Sequence, residues 1–270
     1  MGKFLQLVKR EFKNNRTSLI IFCLAVLGLV FLYVAIYPSI QKNAQNYDQL
    51  LKAYPKTLMD ALGIEDMSMN TLEKYLGMEQ YSFMWSVLVI IFALSRAGRS
   101  LAGEIEKGTM GLWLALPLRR VTIFASKYLA GLIALTIFII VTILGTIPLA
   151  ALLHTEFVAK AHIGLLWPAL FFGWAIYSAG MLFSSIFNDR GKVYITAGGI
   201  LVLMYVLNVA ASLKDDLNWL KYVSAFHYFE ASKILVHSLQ NPTTYFVFGI
   251  TIIIATILGV FWFTRRDVAV

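Results

Sequence analysis

Six long apolar runs govern what this chain can fold into: residues 17–37, 81–101, 126–152, 165–187, 193–213 and 244–264. A bilayer's hydrocarbon core is about 30 Å thick and takes roughly 20 helical residues to cross. Lipid offers backbone N–H and C=O groups no hydrogen-bond partner, so a crossing segment must be a helix or part of a closed barrel. These runs are continuously apolar rather than alternating, which selects helix. Composition agrees, with 59% hydrophobic and 14% charged residues, against roughly 45–50% and about 25% in soluble domains. The chain reads as an all-α integral membrane protein forming one domain over its 270 residues. The first apolar run exceeds the roughly 7–15 residues of a signal-peptide core and is followed by no small-x-small cleavage site, so it is expected to remain as a span.

Charge sets the expected orientation. Residues 1–16, 96–127, 188–192 and 265–270 carry 15 Lys and Arg, whereas 38–80, 154–164 and 214–243 carry 8. With acids included, the two sides come to +10 and −2. The excess of basic residues places both termini in the cytoplasm. The net charge of +8 follows from this topology, and no nucleic-acid partner is needed to explain it.

The segments between spans carry structure of their own. Residues 2–14 predict an amphipathic elbow helix on the inner membrane surface, with Phe4, Leu5, Leu7, Val8 and Phe12 on one arc and Lys3, Lys9, Arg10 and Lys13 on the other. Glu11 falls inside the apolar arc. Either the helix frays there and frees the carboxylate, or Glu11 pairs with a basic residue of a neighbouring element or subunit. The outer segment 38–80 is too long for a simple turn and predicts short helices. One starts at Pro55 and stops at Gly63; another starts at a cap formed by Asn70 with Glu73 and ends at Gly77. A second outer segment, 214–243, suits a re-entrant helical hairpin. Between spans two and three, Glu104 and Glu106 precede Gly108-Thr109, a short apolar helix over Met110–Leu116, and Pro117 with Arg119 and Arg120. That helix is too short to span anything, so it either sinks halfway into the interface or docks in a partner's groove.

Several chemistries lack their residues. Cys23 stands alone, excluding a disulfide scaffold or cysteine metal cluster. Gly191-Lys192 is followed by Val193 and has no upstream glycine to cradle a nucleotide. His154, His162, His227 and His237 show no metal-binding spacing, and no serine sits in a nucleophile elbow. No catalytic residue and no metal ligand is expected. The spans contain almost no ionisable groups, Arg96 and Arg99 lying at the inner end of span two, which argues against an ion pump or proton-coupled carrier. A pathway would have to be lined by aromatic, small and hydroxyl side chains, with Ser82, Ser86, Trp174, Tyr177, Ser178, Thr196, Tyr205 and Asn208 as candidates. The same residue types also glue helices together.

The run Glu104–Lys127 closely resembles the signature of type-2 ABC exporter permeases, in which Glu-x-Glu-x-Gly-Thr-Leu-Glu leads into an apolar helix, then Pro, a basic residue and Lys at the next span. Glu104, Glu106, Gly108, Thr109, Leu112, Leu114, Pro117, Arg119 or Arg120, and Lys127 fit this frame, while Gly111 stands where an acid is usual. Lys9-Arg10-Glu11 resembles the family's elbow helix, Ser224–Phe229 its segment before the last span with Ala225 in place of Pro, and Arg265-Arg266-Asp267 its closing motif. The resemblance covers essentially the whole chain, in order. It implies a transmembrane permease subunit in a bacterial cytoplasmic membrane, in contact with lipid and paired with a second permease copy as a homodimer through spans one, two and five. Two copies of a separate cytoplasmic ATPase would bind ATP and Mg2+, and this chain would hold no cofactor. The helix over Met110–Leu116 would be the coupling helix seated in the ATPase, with Arg10 and Glu11 as elbow contacts. The uncharged spans suit export of an amphipathic or hydrophobic substrate: a peptide, an antibiotic or a lipid-like molecule. The alternative is a non-transporting sensor or assembly factor built on the same fold.

Overall fold

The computed structural model describes residues 2–43, 69–115, 117–213, 215–237 and 240–267. The helix expected between Pro55 and Gly63, and residues Leu116 and Leu239, lie outside the described residues. Every described element is helical. Five helices are long and apolar enough to cross a membrane, and a sixth crossing results when one bent pair is taken as a single span.

Helix α1 runs from Gly2 to Lys42. The elbow expected over 2–14 is therefore not a separate element but the start of the first spanning helix. Asn14, Asn15 and Arg16 include no Gly or Pro to break it, and extending an existing helix is cheaper than ending it and nucleating another. The Asn15 amide donates to the Glu11 carbonyl at 3.1 Å without leaving the helix. At 1.5 Å per residue the helix is about 60 Å long, roughly twice a hydrocarbon core, so its amphipathic start continues beyond the apolar run.

The chain re-enters at α2 (Leu72–Leu76). Its N-cap is Thr71, whose hydroxyl accepts from the Lys74 N–H, rather than the expected Asn70. The register is one residue later, and Glu73 turns instead to the Val158 N–H at 2.5 Å. The α-helix ends at Gly77 as expected, yet the chain continues as a π-helical turn, Gly77–Tyr81. Gly77 lies against Ser232: an added Cβ would sit 3.2 Å from its Oγ. A 46° bend leads into α3 (Met84–Ser100). Span two is thus a shorter straight helix than the 81–101 run, preceded by a bent turn.

Two short helices follow, α4 (Ala102–Glu106) and α5 (Met110–Leu114). Then α6 (Arg120–Leu144) passes through Gly145 into α7 (Thr146–Leu152), making one long span. Helices α8 (Ala159–Ile186) and α9 (Arg190–Leu213) are joined by a tight turn. The described residues between α9 and the last helix include a 3-10 helix over Asp215–Val223 and α10 (Ala231–His237). The final helix, α11 (Pro242–Arg265), opens on an Asn241 cap that accepts from the Thr243 N–H at 3.0 Å, with Pro242 in the first turn, where its missing N–H costs nothing.

Helix α8 is the centre of the bundle, packed against α11, α3, α6 and α9. Phe92 stacks on Phe138 with ring centroids 4.5 Å apart, and Phe172 on Phe229 at 4.6 Å. Several polar atoms pair between the helices: Trp85 Nε1 donates to Thr142 Oγ1 at 3.1 Å, and Tyr81 shares a 3.2 Å bond with Thr146. Such bonds hold helices together where burial of apolar surface gives no advantage over lipid. Outer faces stay apolar, as a lipid solvent allows. On α9, Ile195 and Val202 are 77% and 65% exposed.

Candidate functional site

Residues far apart in sequence meet at the end of the bundle that carries α4 and α5. Lys127, on the first turns of α6, reaches the Glu11 carboxylate at 2.7 Å and Glu104 at 3.3 Å. Of the two readings of Glu11, the structure has the paired one: the residue is helical and buried, and its partner belongs to another helix. Glu104 also accepts from the Thr109 hydroxyl, whose backbone N–H donates to the Glu104 carbonyl at 2.9 Å. This closed turn needs Gly108, which has φ +70°, a left-handed conformation that side chains with a Cβ resist. Burial pushes the Glu104 carboxyl up, but the Lys127 ammonium, the Thr109 hydroxyl and the Trp113 indole together outweigh it. The carboxyl is held below its ordinary range and stays ionised.

Helix α5 rests on this network through one side. Met110 and Trp113 are buried, and the Trp113 ring lies under the Lys127 ammonium at 4.3 Å and the Arg10 guanidinium at 5.3 Å. Leu114 is half-buried against the core, whereas Leu112 points away and is 73% exposed. The result is a five-residue helix fixed from behind with an apolar side chain presented outward.

The neighbouring strands of chain are tied to the same end. Glu106 accepts from the Arg190 backbone N–H at 3.1 Å and pairs with its guanidinium at 3.3 Å, joining α4 to the 188–192 turn. Ser184 accepts from the N–H groups of Leu101 and Ala102, which fixes the start of α4. Arg120 donates to the carbonyls of Thr264 and Arg266, and Arg266 in turn donates to those of Ser185 at 2.9 Å and Phe187 at 3.1 Å. Arg120 therefore faces the chain's last helix, while Arg119 occupies the N-cap position of α6 without a side-chain cap and Pro117 is exposed.

Trp113, Ser184 and Arg266 are the residues whose part in this arrangement was not foreseen. Trp113 lies within the 110–116 run and Arg266 within the closing Arg265-Arg266-Asp267 motif, but neither pattern shows a tertiary partner. Nothing around Ser184 marks it. The Glu11–Lys127 pair spans 116 positions, and the misplaced carboxylate on the apolar arc was its one visible trace.

The pathway candidates are spread over α3 and the turn before it, α8 and α9. Trp174 donates to Thr136 at 3.0 Å, and Tyr177 is fully buried with its hydroxyl near the Lys127 and Tyr128 carbonyls. Ser178 bonds Tyr128 at 2.7 Å and Ser82 bonds the Met78 carbonyl at 2.9 Å. Ser86 is buried with its hydroxyl unpartnered. Thr196 and Asn208 are half-buried on α9, and Tyr205 there packs against Phe83 and Phe226. An apolar cavity of about 160 Å³ lies elsewhere, among α8, α9, α11 and the 222–228 segment, lined by Ile176, Leu201, Met204, Tyr228 and Phe248. Among the described residues, no group of three His, Cys, Asp or Glu is placed to hold a metal ion.

An all-helical chain with several membrane-length helices and a short, charge-flanked helix anchored at one end defines a multi-pass membrane protein. The family model described as ABC-2 family transporter protein matches residues 5–268, and the chain belongs to that family. It is a type-2 ABC permease, a multi-pass membrane transport subunit of a family whose permeases generally pair with an ATPase. No curated protein matches the chain.

Proposed function

We propose that this chain is the permease of an ATP-driven exporter in a bacterial cytoplasmic membrane, with both termini and the α4–α5 end facing the cytoplasm. A second copy completes the pathway, and two ATPase subunits that bind ATP and Mg2+ dock on the pair. Helix α5 is the coupling helix. The observation that carries this reading is Leu112, 73% exposed on a helix whose other side is locked by Trp113. An outward apolar side chain flanked by charge is a small docking knob. The lock behind it transmits force, because Trp113 and Glu104 meet Lys127, and Lys127 meets Glu11. ATP-driven closure of the partners would push on α5 and tilt α6 against α1. Arg10 and Glu11 act through this network at the base of α1. The cargo is amphipathic or hydrophobic, in keeping with spans whose few charges lie toward one end and with the apolar cavity beside α9.

Co-expression with an ATPase encoded beside this chain tests the reading. The ATPase is expected to co-purify, and its turnover is expected to rise with the permease and to lose that rise with Glu104→Ala combined with deletion of 110–116. Stimulation that survives both changes would overturn the coupling assignment. Co-purification without any stimulation would favour the sensor or assembly role instead.

A further inference from the structure

A polar cavity of about 410 Å³ opens between α1, α3, α6 and α9 at the end carrying α4, within the roughly 300–1,000 Å³ typical of small-ligand sites. Its two carboxylates, Glu11 and Glu104, are both occupied by Lys127, at 2.7 and 3.3 Å. Arg96, Arg99, Lys107 and Arg190 also line it. Arg190 is partly neutralised by Glu106 at 3.3 Å. Arg99 and Lys107 form no ion pair among the described residues. Arg96 is 9% exposed; its Nη2 donates to the Asn15 carbonyl at 2.8 Å, but its buried Nε has no partner, and neither does the buried hydroxyl of Ser100. Positive charge in excess, together with buried donors left unpaired, describes a site prepared for an oxyanion.

We propose that this cavity binds a phosphate oxyanion, carried either by an anionic lipid headgroup or by a free phosphate compound. Guanidinium forks match phosphate oxygens in geometry as well as charge, and basic pockets between membrane helices hold lipid headgroups. The lipid source has a place for its tails. Just beyond Asn15, α1 exposes Ile20, Ile21 and Leu24 at 53%, 60% and 63%. The site does not depend on transport or on an ATPase, and a bound phosphate would brace α1 against α3 beside the Glu11–Lys127 pair.

The full chain in detergent tests this by native mass spectrometry with dioleoyl phosphatidylglycerol and dioleoyl phosphatidylcholine, and by thermal shift with inorganic pyrophosphate. Arg99→Ala with Lys107→Ala removes two exposed cavity cations with little risk to folding; Lys9→Ala with Lys192→Ala removes the same charge outside the cavity. Phosphatidylglycerol is expected to bind at least about tenfold more tightly than phosphatidylcholine, and the cavity variant to lose about tenfold while the control keeps its affinity. Phosphatidylglycerol binding with inert pyrophosphate assigns the headgroup. Pyrophosphate that stabilises the chain and displaces the lipid assigns a free phosphate compound. No preference for either anionic probe, or an equal loss in the control variant, overturns the site.

Discussion

Lys127 and Glu11, 116 positions apart in the chain, form a 2.7 Å ion pair with side chains 1% and 10% exposed. The pair joins the start of α6 to the start of α1. Glu104 completes it from α4 at 3.3 Å, so one ammonium serves two carboxylates. Removing the ammonium leaves two carboxylates facing each other without a counter-charge.

Lys127→Met should therefore be among the most damaging single changes in the chain. Removing one partner of a buried pair costs about 3–5 kcal/mol. The expected outcome is a large fall in the melting temperature of the detergent-solubilised protein, measured by scanning fluorimetry. Adding Glu11→Gln should recover part of the loss, with a coupling energy of about 1–3 kcal/mol for residues in direct contact.

Gly108→Ala isolates the backbone of the turn before α5. Nothing lies within 4 Å of the added Cβ, so φ +70° is the whole difficulty. The cost should be about 1–2 kcal/mol, seen as a lower melting temperature.

Acid should loosen the same end of the bundle. The Glu104 carboxyl sits below its ordinary value of 4.5 despite burial, because Lys127, Thr109 and Trp113 favour its ionised form. A depressed carboxyl contributes stability that is complete above the unfolded value, fades as pH drops below it, and is gone beneath the folded one. Thermal stability should accordingly fall on acidification below about pH 4.5, and Glu104→Gln should be less stable at neutral pH and show a shallower fall.

Trp85 separates polar from packing contributions in the span region. Trp85→Phe loses the bond to Thr142 Oγ1 and should cost about 0.6 kcal/mol, as interhelical bonds in membranes do on average. Trp85→Ala also opens a cavity in a site with 0% exposure and should cost about 3–5 kcal/mol. Parallel melts of the two variants check the difference.

The membrane fold was legible because lipid imposes one rule on all spans, and five long apolar helices follow the apolar runs directly. Boundaries were less legible. Nothing in Asn14-Asn15-Arg16 ends a helix, so the amphipathic start and the first span merge into Gly2–Lys42. Thr71 takes the cap expected of Asn70, since either residue is a good cap and only the register chooses. At the candidate site, local pattern exposed Glu104, Gly108 and Thr109, which are close in sequence. It could not reveal that Lys127 faces Glu11, that Trp113 lies under Lys127, or that Ser184 holds Leu101 and Ala102, because those contacts are set by tertiary packing.

Leu112 is the exposed apolar side chain of α5 and the proposed contact with the ATPase. The decisive measurement is ATP hydrolysis by the partner ATPase reconstituted with wild-type permease or with Leu112→Glu. The variant should melt near the wild-type temperature, because the side chain is 73% exposed, yet stimulate hydrolysis at least about tenfold less, since a buried charge at a docking centre is strongly unfavourable. Full stimulation by a normally folded Leu112→Glu permease would contradict α5 as the coupling helix.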